Sequence, residues 1–113
     1  MRVIVCGGRF FTNRAKLFDG LDSIHKESPI TLLIHGACKG ADMLADEWAV
    51  ERGIERRLFK AEWRKFGGAA GPIRNMQMIR EGIPDLVIAF PGGKGTADMV
   101  RQSEANGIKV NLM

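Results

Sequence analysis

The chain has 113 residues, enough for one domain around one modest core and too few for two. Its hydrophobic content of 45% and charged content of 27% are those of an ordinary globular protein, and no apolar run approaches the roughly 20 residues that span a bilayer. Lys and Arg number 17 against 13 Asp and Glu, a net charge of +4 that suits an anionic ligand; the basic residues are scattered rather than massed in one run, so a nucleic-acid groove is not favoured.

Val3-Ile4-Val5-Cys6 is a continuous, β-branched run that stops at Gly7-Gly8, as expected of a strand covered on both faces. A helical period follows from Thr12 or Asn13, with Leu17, Phe18, Leu21 and Ile24 on one face, and Ser28-Pro29 ends it. Leu32 to His35 reads as a second buried strand, stopping at Gly36. After Lys39-Gly40 a helix carrying Leu44, Ala45, Trp48 and Ala49 runs to Gly53. A third strand is expected near Arg56 to Phe59. The next 11 residues, Ala61 to Gly71, are expected to form a loop, and loops of that length in compact domains tend to be functional or mobile. Pro72 suits the first turn of a helix through Ile73, Met76 and Ile79. Leu86 to Phe90 is the clearest buried strand. A glycine loop, a helix from about Thr96 to Ala105 and a short strand Ile108-Lys109-Val110 complete the chain.

This alternation, without repeats or linkers, specifies one α/β domain over residues 1–113, a Rossmann-like doubly wound parallel sheet of about five strands flanked by helices. Ligands of such sheets bind beyond the carboxyl ends of the strands, where strand order reverses. Gly7-Gly8, Gly36 with Gly40, and Gly92-Gly93-Gly95 all fall at such ends and should converge on one crevice.

Pro91-Gly92-Gly93-Lys94-Gly95-Thr96 joins a buried strand to a helix. Glycine lets the backbone approach a phosphate, and the helix N-terminus offers free N–H groups and partial positive charge. Thr96 can cap the helix or donate to a phosphate oxygen, and Lys94 adds charge. The spacing fits neither a Walker A loop nor Gly-x-Gly-x-x-Gly. In the second loop Lys39 can meet a phosphate, while Asp42 either accepts from a ribose hydroxyl or complements the helix dipole. Arg9 stands where its fork of donors reaches a phosphate. Trp63 either stacks on a base or plugs the core. Arg74 and Asn75 open a helix where the dipole disfavours an Arg, which points Arg74 at a ligand. His35 reads as a satisfied structural histidine, and Cys6 and Cys38 as small buried apolar residues. Two cysteines and no Cys/His cluster imply no metal or disulfide and a reducing, cytoplasmic setting. No cofactor is expected.

Four motifs occur in order: Gly7-Gly8-Arg9, His35-Gly36-x-x-x-Gly40-Ala41-Asp42, Ala70-Gly71-x-x-Arg74-Asn75, and Pro91-Gly92-Gly93-x-Gly95-Thr96. Together they resemble the YspA-like members of the SLOG superfamily, along nearly the whole chain. That superfamily joins the LOG phosphoribohydrolases, the DNA-processing Smf/DprA proteins and many small bacterial and phage proteins. The resemblance implies a nucleotide or nucleotide-derived ligand, such as an ADP-ribose-like signal, and a homo-oligomer. LOG enzymes carry Pro-Gly-Gly-x-Gly-Thr-x-x-Glu, whose glutamate assists cleavage of the N-glycosidic bond; Met99 occupies that position here. The nearest carboxylate, Asp98, is one residue earlier, which turns a helical side chain by roughly 100 degrees. Asn75 replaces the lysine of the LOG Arg-Lys pair. The resemblance therefore implies a sensor or sequestering module rather than an enzyme. The alternatives are an N-glycosidic hydrolase using Asp98 or Asp42 as acid/base, and, by analogy with Smf/DprA, single-stranded DNA binding.

Overall fold

A computed structural model describes residues 1–113. The elements run β1 (Arg2–Cys6), α1 (Arg14–Glu27), β2 (Leu32–His35), α2 (Ala41–Glu51), β3 (Glu55–Leu58), α3 (Trp63–Phe66), a 3-10 turn (Gly67–Ala69), α4 (Ala70–Gly82), β4 (Leu86–Ala89), α5 (Lys94–Ala105) and β5 (Lys109–Leu112). All five strands are parallel, in the order β3-β2-β1-β4-β5. The Rossmann-like α/β class read from the sequence is the fold observed. No helix is long and apolar enough to cross a membrane.

Burial on both faces explains why the central strands read as unbroken apolar runs. Val3, Val5, Leu33, Leu86 and Ile88 point to one face and pack against Leu17, Leu21, Ala45 and Trp48 of α1 and α2. Ile4, Ile34, Val87 and Ala89 point to the other, against Met78, Ile79 and Met99 of α4 and α5. Each wholly buried Leu or Ile in these layers contributes about 1.5–3 kcal/mol of hydrophobic stabilisation. The chain pairs β2 on one side of β1 and β4 on the other, so strand order reverses between β1 and β4. That reversal splays the β1–α1 and β4–α5 loops apart and opens a crevice at the carboxyl end of the sheet.

Two expectations about elements are corrected, while Pro72 keeps its expected place in a first helical turn. Residues 61–71 are not a loop: Trp63–Phe66 form one helical turn, the 3-10 turn follows, and α4 already begins at Ala70. Segments this short show no hydrophobic period, and none of α3 is buried. Pro72 is the third residue of α4, still within the turn whose N–H groups have no helical acceptor. β3 ends at Leu58 rather than Phe59 and is exposed throughout, as suits an edge strand that shows no apolar run.

Candidate functional site

The crevice is a cavity of about 1170 Å³, comparable to or larger than most small-molecule sites. Its wall brings together Gly7, Gly8 and Arg9 after β1, Asp42 on α2, Trp63 on α3, and Arg74 and Asn75 on α4. Gly92, Gly93, Lys94, Gly95, Thr96 and Asp98 complete it from the β4–α5 side. Gly36, Lys39 and Gly40 do not line it.

The β1 and β4 loops are locked edge to edge. Gly8 N–H donates to the Pro91 carbonyl at 2.9 Å. A Cβ on Gly92 would stand 2.6 Å from Gly8 N and collide with Thr96 Oγ1, so no side chain fits there. Gly93 and Gly95 differ: a Cβ on either would meet no protein atom within 4 Å. The helix cap is Gly93, and no side chain accepts from the first turn of α5. Its leading N–H groups therefore face open space, with partial positive charge behind them. Thr96 is the third residue of α5, which removes capping from the two roles read for it in the sequence and leaves its hydroxyl as a donor to a phosphate oxygen. Lys94 and Arg9 are exposed at the rim, and neither takes part in an ion pair.

The 36–42 loop is built otherwise. Gly36 and Cys38 N–H both donate to Asp42 Oδ2, at 3.1 and 3.2 Å, and Ala37 N–H donates to His35 Nδ1 at 3.0 Å. These donors turn inward and hold Ala37 at φ 57°. Gly40, at φ 78°, approaches Gly8 and Arg9 so closely that any Cβ would collide with the Gly8 carbonyl. This loop thus buttresses the cavity, and Lys39 is exposed away from it. His35 is fully buried; with Nδ1 accepting, Nε2 donates to Asp46 Oδ1 at 2.8 Å, the structural role expected of it.

Asp42 is 5% exposed, and burial pushes its pKa up. The backbone donor of Cys38, the fields of His35 and Arg74 and the donor of Gly36 oppose that rise without cancelling it. Asp98 goes the other way. Burial pushes it up, but hydrogen bonds from Asn75 Nδ2 (3.0 Å), Gln102 Nε2 (2.7 Å) and Arg101 Nη2 outweigh burial and hold it low. Two cavity carboxylates are thereby set to opposite sides of their ordinary range.

Helix rotation decides which α5 residue faces the cavity. Asp98 lines it, while Met99 is fully buried in the core beneath the helix. The sequence expectation turned Asp98 away from the reactive position; the fold turns position 99 to the sheet and position 98 to the crevice. Arg74, 8% exposed, donates from Nη1 to the Gly36 carbonyl (2.7 Å) and from Nε to Asn75 Oδ1 (3.0 Å). Nη2 has no protein acceptor and no buried side-chain polar atom lacks one, so Nη2 opens to the cavity. Arg74 is thus both a strut and a cavity donor.

Trp63 is 52% exposed and no core plug. Its Cη2 would lie 3.4 Å from a Cβ on Gly71, which places the ring against the first turn of α4. Phe10, 89% exposed, faces the same cavity from the β1–α1 loop. Sequence reasoning missed Phe10, although an aromatic directly after Gly-Gly-Arg, outside any period, was a usable signal. It also missed Cys38 as a wall residue. Cys6 is buried as expected, but Cys38 is half-buried and its Sγ lies 3.7 Å from Arg74 Nη1.

Comparison with known proteins bears on this arrangement. The sequence profile described as the YspA, cpYpsA-related SLOG family matches residues 1–66. The Gene 61 protein of Mycobacterium phage D29 is 35% identical over 117 residues, covering 96% of this chain and 93% of that protein.

Proposed function

Since the chain belongs to the YspA, cpYpsA-related SLOG family, we propose that its cavity holds a nucleotide or an ADP-ribose-like derivative, and holds it without cleaving it. One observation carries this reading. The first turn of α5 is uncapped, and the space beside Gly93 and Gly95 is empty of protein. A phosphate fits that space, accepts from the free N–H groups and is favoured by the helix dipole. Lys94 and Arg9 add charge at the rim, and Arg74 Nη2 offers a donor from the wall. Phe10 and Trp63 supply aromatic faces for a base. The family glutamate position is Met99, in the core, so no carboxylate acts from there.

A single glycine tests the carrying observation. Gly95→Ala fills the empty space with a methyl group, yet Ala is the better helix residue by about 1 kcal/mol. The variant is expected to fold as well as the parent and to bind AMP or ADP-ribose at least about tenfold more weakly, the loss expected of one displaced charge-assisted hydrogen bond. Equal affinity of parent and variant in calorimetry would remove the α5 terminus as the phosphate site. Recovery of both ligands unchanged after long incubation is expected.

A second reading has one observation in its favour. Asp42 and Asp98 face one cavity with pKa values driven apart, the pattern of an acid paired with an ionised partner. It predicts release of free base from a nucleoside monophosphate, abolished in Asp42→Asn. Absence of base release by the parent protein rejects it.

A further inference from the structure

Asn75 is 3% exposed, and its amide serves three other residues of the cavity wall at once. Its Oδ1 accepts from Arg74 Nε at 3.0 Å, while Nδ2 donates to the Gly95 carbonyl at 3.2 Å and to Asp98 Oδ2 at 3.0 Å. These partners leave the amide one orientation. A guanidinium only donates, whereas a carbonyl and a carboxylate only accept, so a turned amide would set like against like on both sides. Both N–H donors of Asn75 are spent inside the protein, and neither is left for a ligand.

Each of the three bonds bears on how a phosphate is gripped. A guanidinium is planar, so holding two of its nitrogens aims the third. The Gly36 carbonyl holds Nη1 at 2.7 Å and Asn75 holds Nε, which sets the direction of Nη2 into the cavity. Without Asn75 the group hinges on Nη1 alone. Gly95 is the second residue of α5, in the turn whose N–H groups lack acceptors. A bond from α4 to its carbonyl seats that turn against the helix carrying Arg74. Asp98, about one turn on from Lys94, also faces the cavity. Donors from Asn75, Gln102 and Arg101 engage its carboxylate, which is then less free to repel an anion.

We infer that Asn75 is a positioning residue of the phosphate site: it sets Arg74 Nη2 on α4 and the free N–H groups of α5 in one register, without touching the ligand. This rests on the cavity reading proposed above and names the group that makes two donor sets on two helices act on one phosphate. Binding constellations need their donors held within about 0.5 Å, by side chains that are themselves locked. Asn75 is such a side chain, buried and bonded at both ends of its amide. A phosphate gripped from both helices feels its loss, whereas a base or ribose held elsewhere in the cavity does not.

The probes are AMP and adenosine, titrated calorimetrically into the millimolar range. The ratio of their dissociation constants isolates what the phosphate contributes. The parent protein is expected to prefer AMP by at least about tenfold, the least that a charge-assisted hydrogen bond supplies. Asn75→Ala should lose about tenfold for AMP and change less than about twofold for adenosine, so that the preference collapses. Thermal melts show whether each variant is folded at the assay temperature, and Asn75→Ser repeats the measurement should alanine disturb folding. A residue that only supports the fold would weaken both ligands alike. Equal weakening, or a preference for AMP that survives the substitution, overturns the proposal. A parent that binds AMP no better than adenosine overturns the cavity reading and this role with it. A preference lost in Gly95→Ala but kept in Asn75→Ala overturns the role of Asn75 alone.

Discussion

Asn75 on α4 donates to the Asp98 carboxylate on α5 across 3.0 Å, and the same amide also donates to the Gly95 carbonyl at 3.2 Å. Two helices that meet the sheet from the same side are thereby clasped at the rim of the cavity, next to the uncapped turn. Asp98 is the receiving centre of this clasp, taking Gln102 and Arg101 as well.

The clasp makes Asp98 ionisation a contribution to stability. Its side chain is 14% exposed and its folded pKa is lowered, so the ionised form favours the native state. That contribution is complete above the unfolded carboxylate value of about 3.9 and is lost as pH falls through the lower folded value. Asp98→Asn keeps the shape but sets an amide against the Asn75 and Gln102 donors. A loss of about 1–2 kcal/mol at neutral pH is expected, of the size of a disrupted buried hydrogen bond. Urea melts of both proteins should show the gap closing as pH falls below the unfolded carboxylate value of about 3.9, as the folded Asp98 takes up its proton.

Gly40 tests the buttress beneath the cavity. Its φ of 78° and its contact with the Gly8 carbonyl both demand the absence of a side chain. Gly40→Ala should force the 36–42 loop off the β1–α1 loop, with a loss of about 2–3 kcal/mol from left-handed strain and collision together. Gly93→Ala, where a Cβ meets nothing, should leave the melting temperature within a degree or two, as for a surface change of under about 0.5 kcal/mol. A similar loss in both variants would contradict the packing of Gly40 against the β1–α1 loop.

The two cysteines should separate cleanly under alkylation. Burial, with a smaller push from the Asp42 charge, raises the Cys6 thiol to about 12, so it stays protonated and covered. Cys38 is half-buried on the cavity wall. Iodoacetamide at mildly alkaline pH should modify Cys38 alone, as read by peptide mass spectrometry. AMP or ADP-ribose should slow that modification. Equal labelling of both thiols in the native protein would contradict the burial of Cys6.

How far the sequence led depended on the range of the interactions. Leu86 to Ala89 and the glycine loop after it were legible because burial on both faces leaves an unbroken apolar run and a local stop. α3 was illegible because one exposed helical turn has no period to read. The site residues divided in the same way. Gly93 and Gly95 are read from local pattern, but the bond from Arg74 to the Gly36 carbonyl spans 38 residues and exists only once the sheet has assembled. Lys39 and Gly40 stand beside Asp42 in sequence, yet only Asp42 reaches the cavity: it sits in the first turn of α2, whereas Lys39 is exposed in the loop before the helix and Gly40 is packed against Gly8 and Arg9. Position 98 against 99 is the same problem on α5: a motif fixes spacing, and helix seating fixes which residue faces the crevice.

Asp42 is expected to behave opposite to Asp98. Its folded pKa is raised, chiefly by burial, so ionisation opposes the native state. That cost is absent below the unfolded value of about 3.9 and grows until pH passes the folded value. An asparagine oxygen can still accept from Gly36 and Cys38 N–H, while the buried charge is gone. Asp42→Asn should therefore be neutral to stabilising at pH 7, with its advantage disappearing toward pH 4. Carboxyl NMR titration of the parent should place Asp42 above the ordinary aspartate range and Asp98 below it. Should Asp42→Asn instead lose stability at pH 7 and regain it in acid, the carboxylate would be held by its donors more firmly than burial opposes it. The loop would then be organised around a charge rather than around a shape.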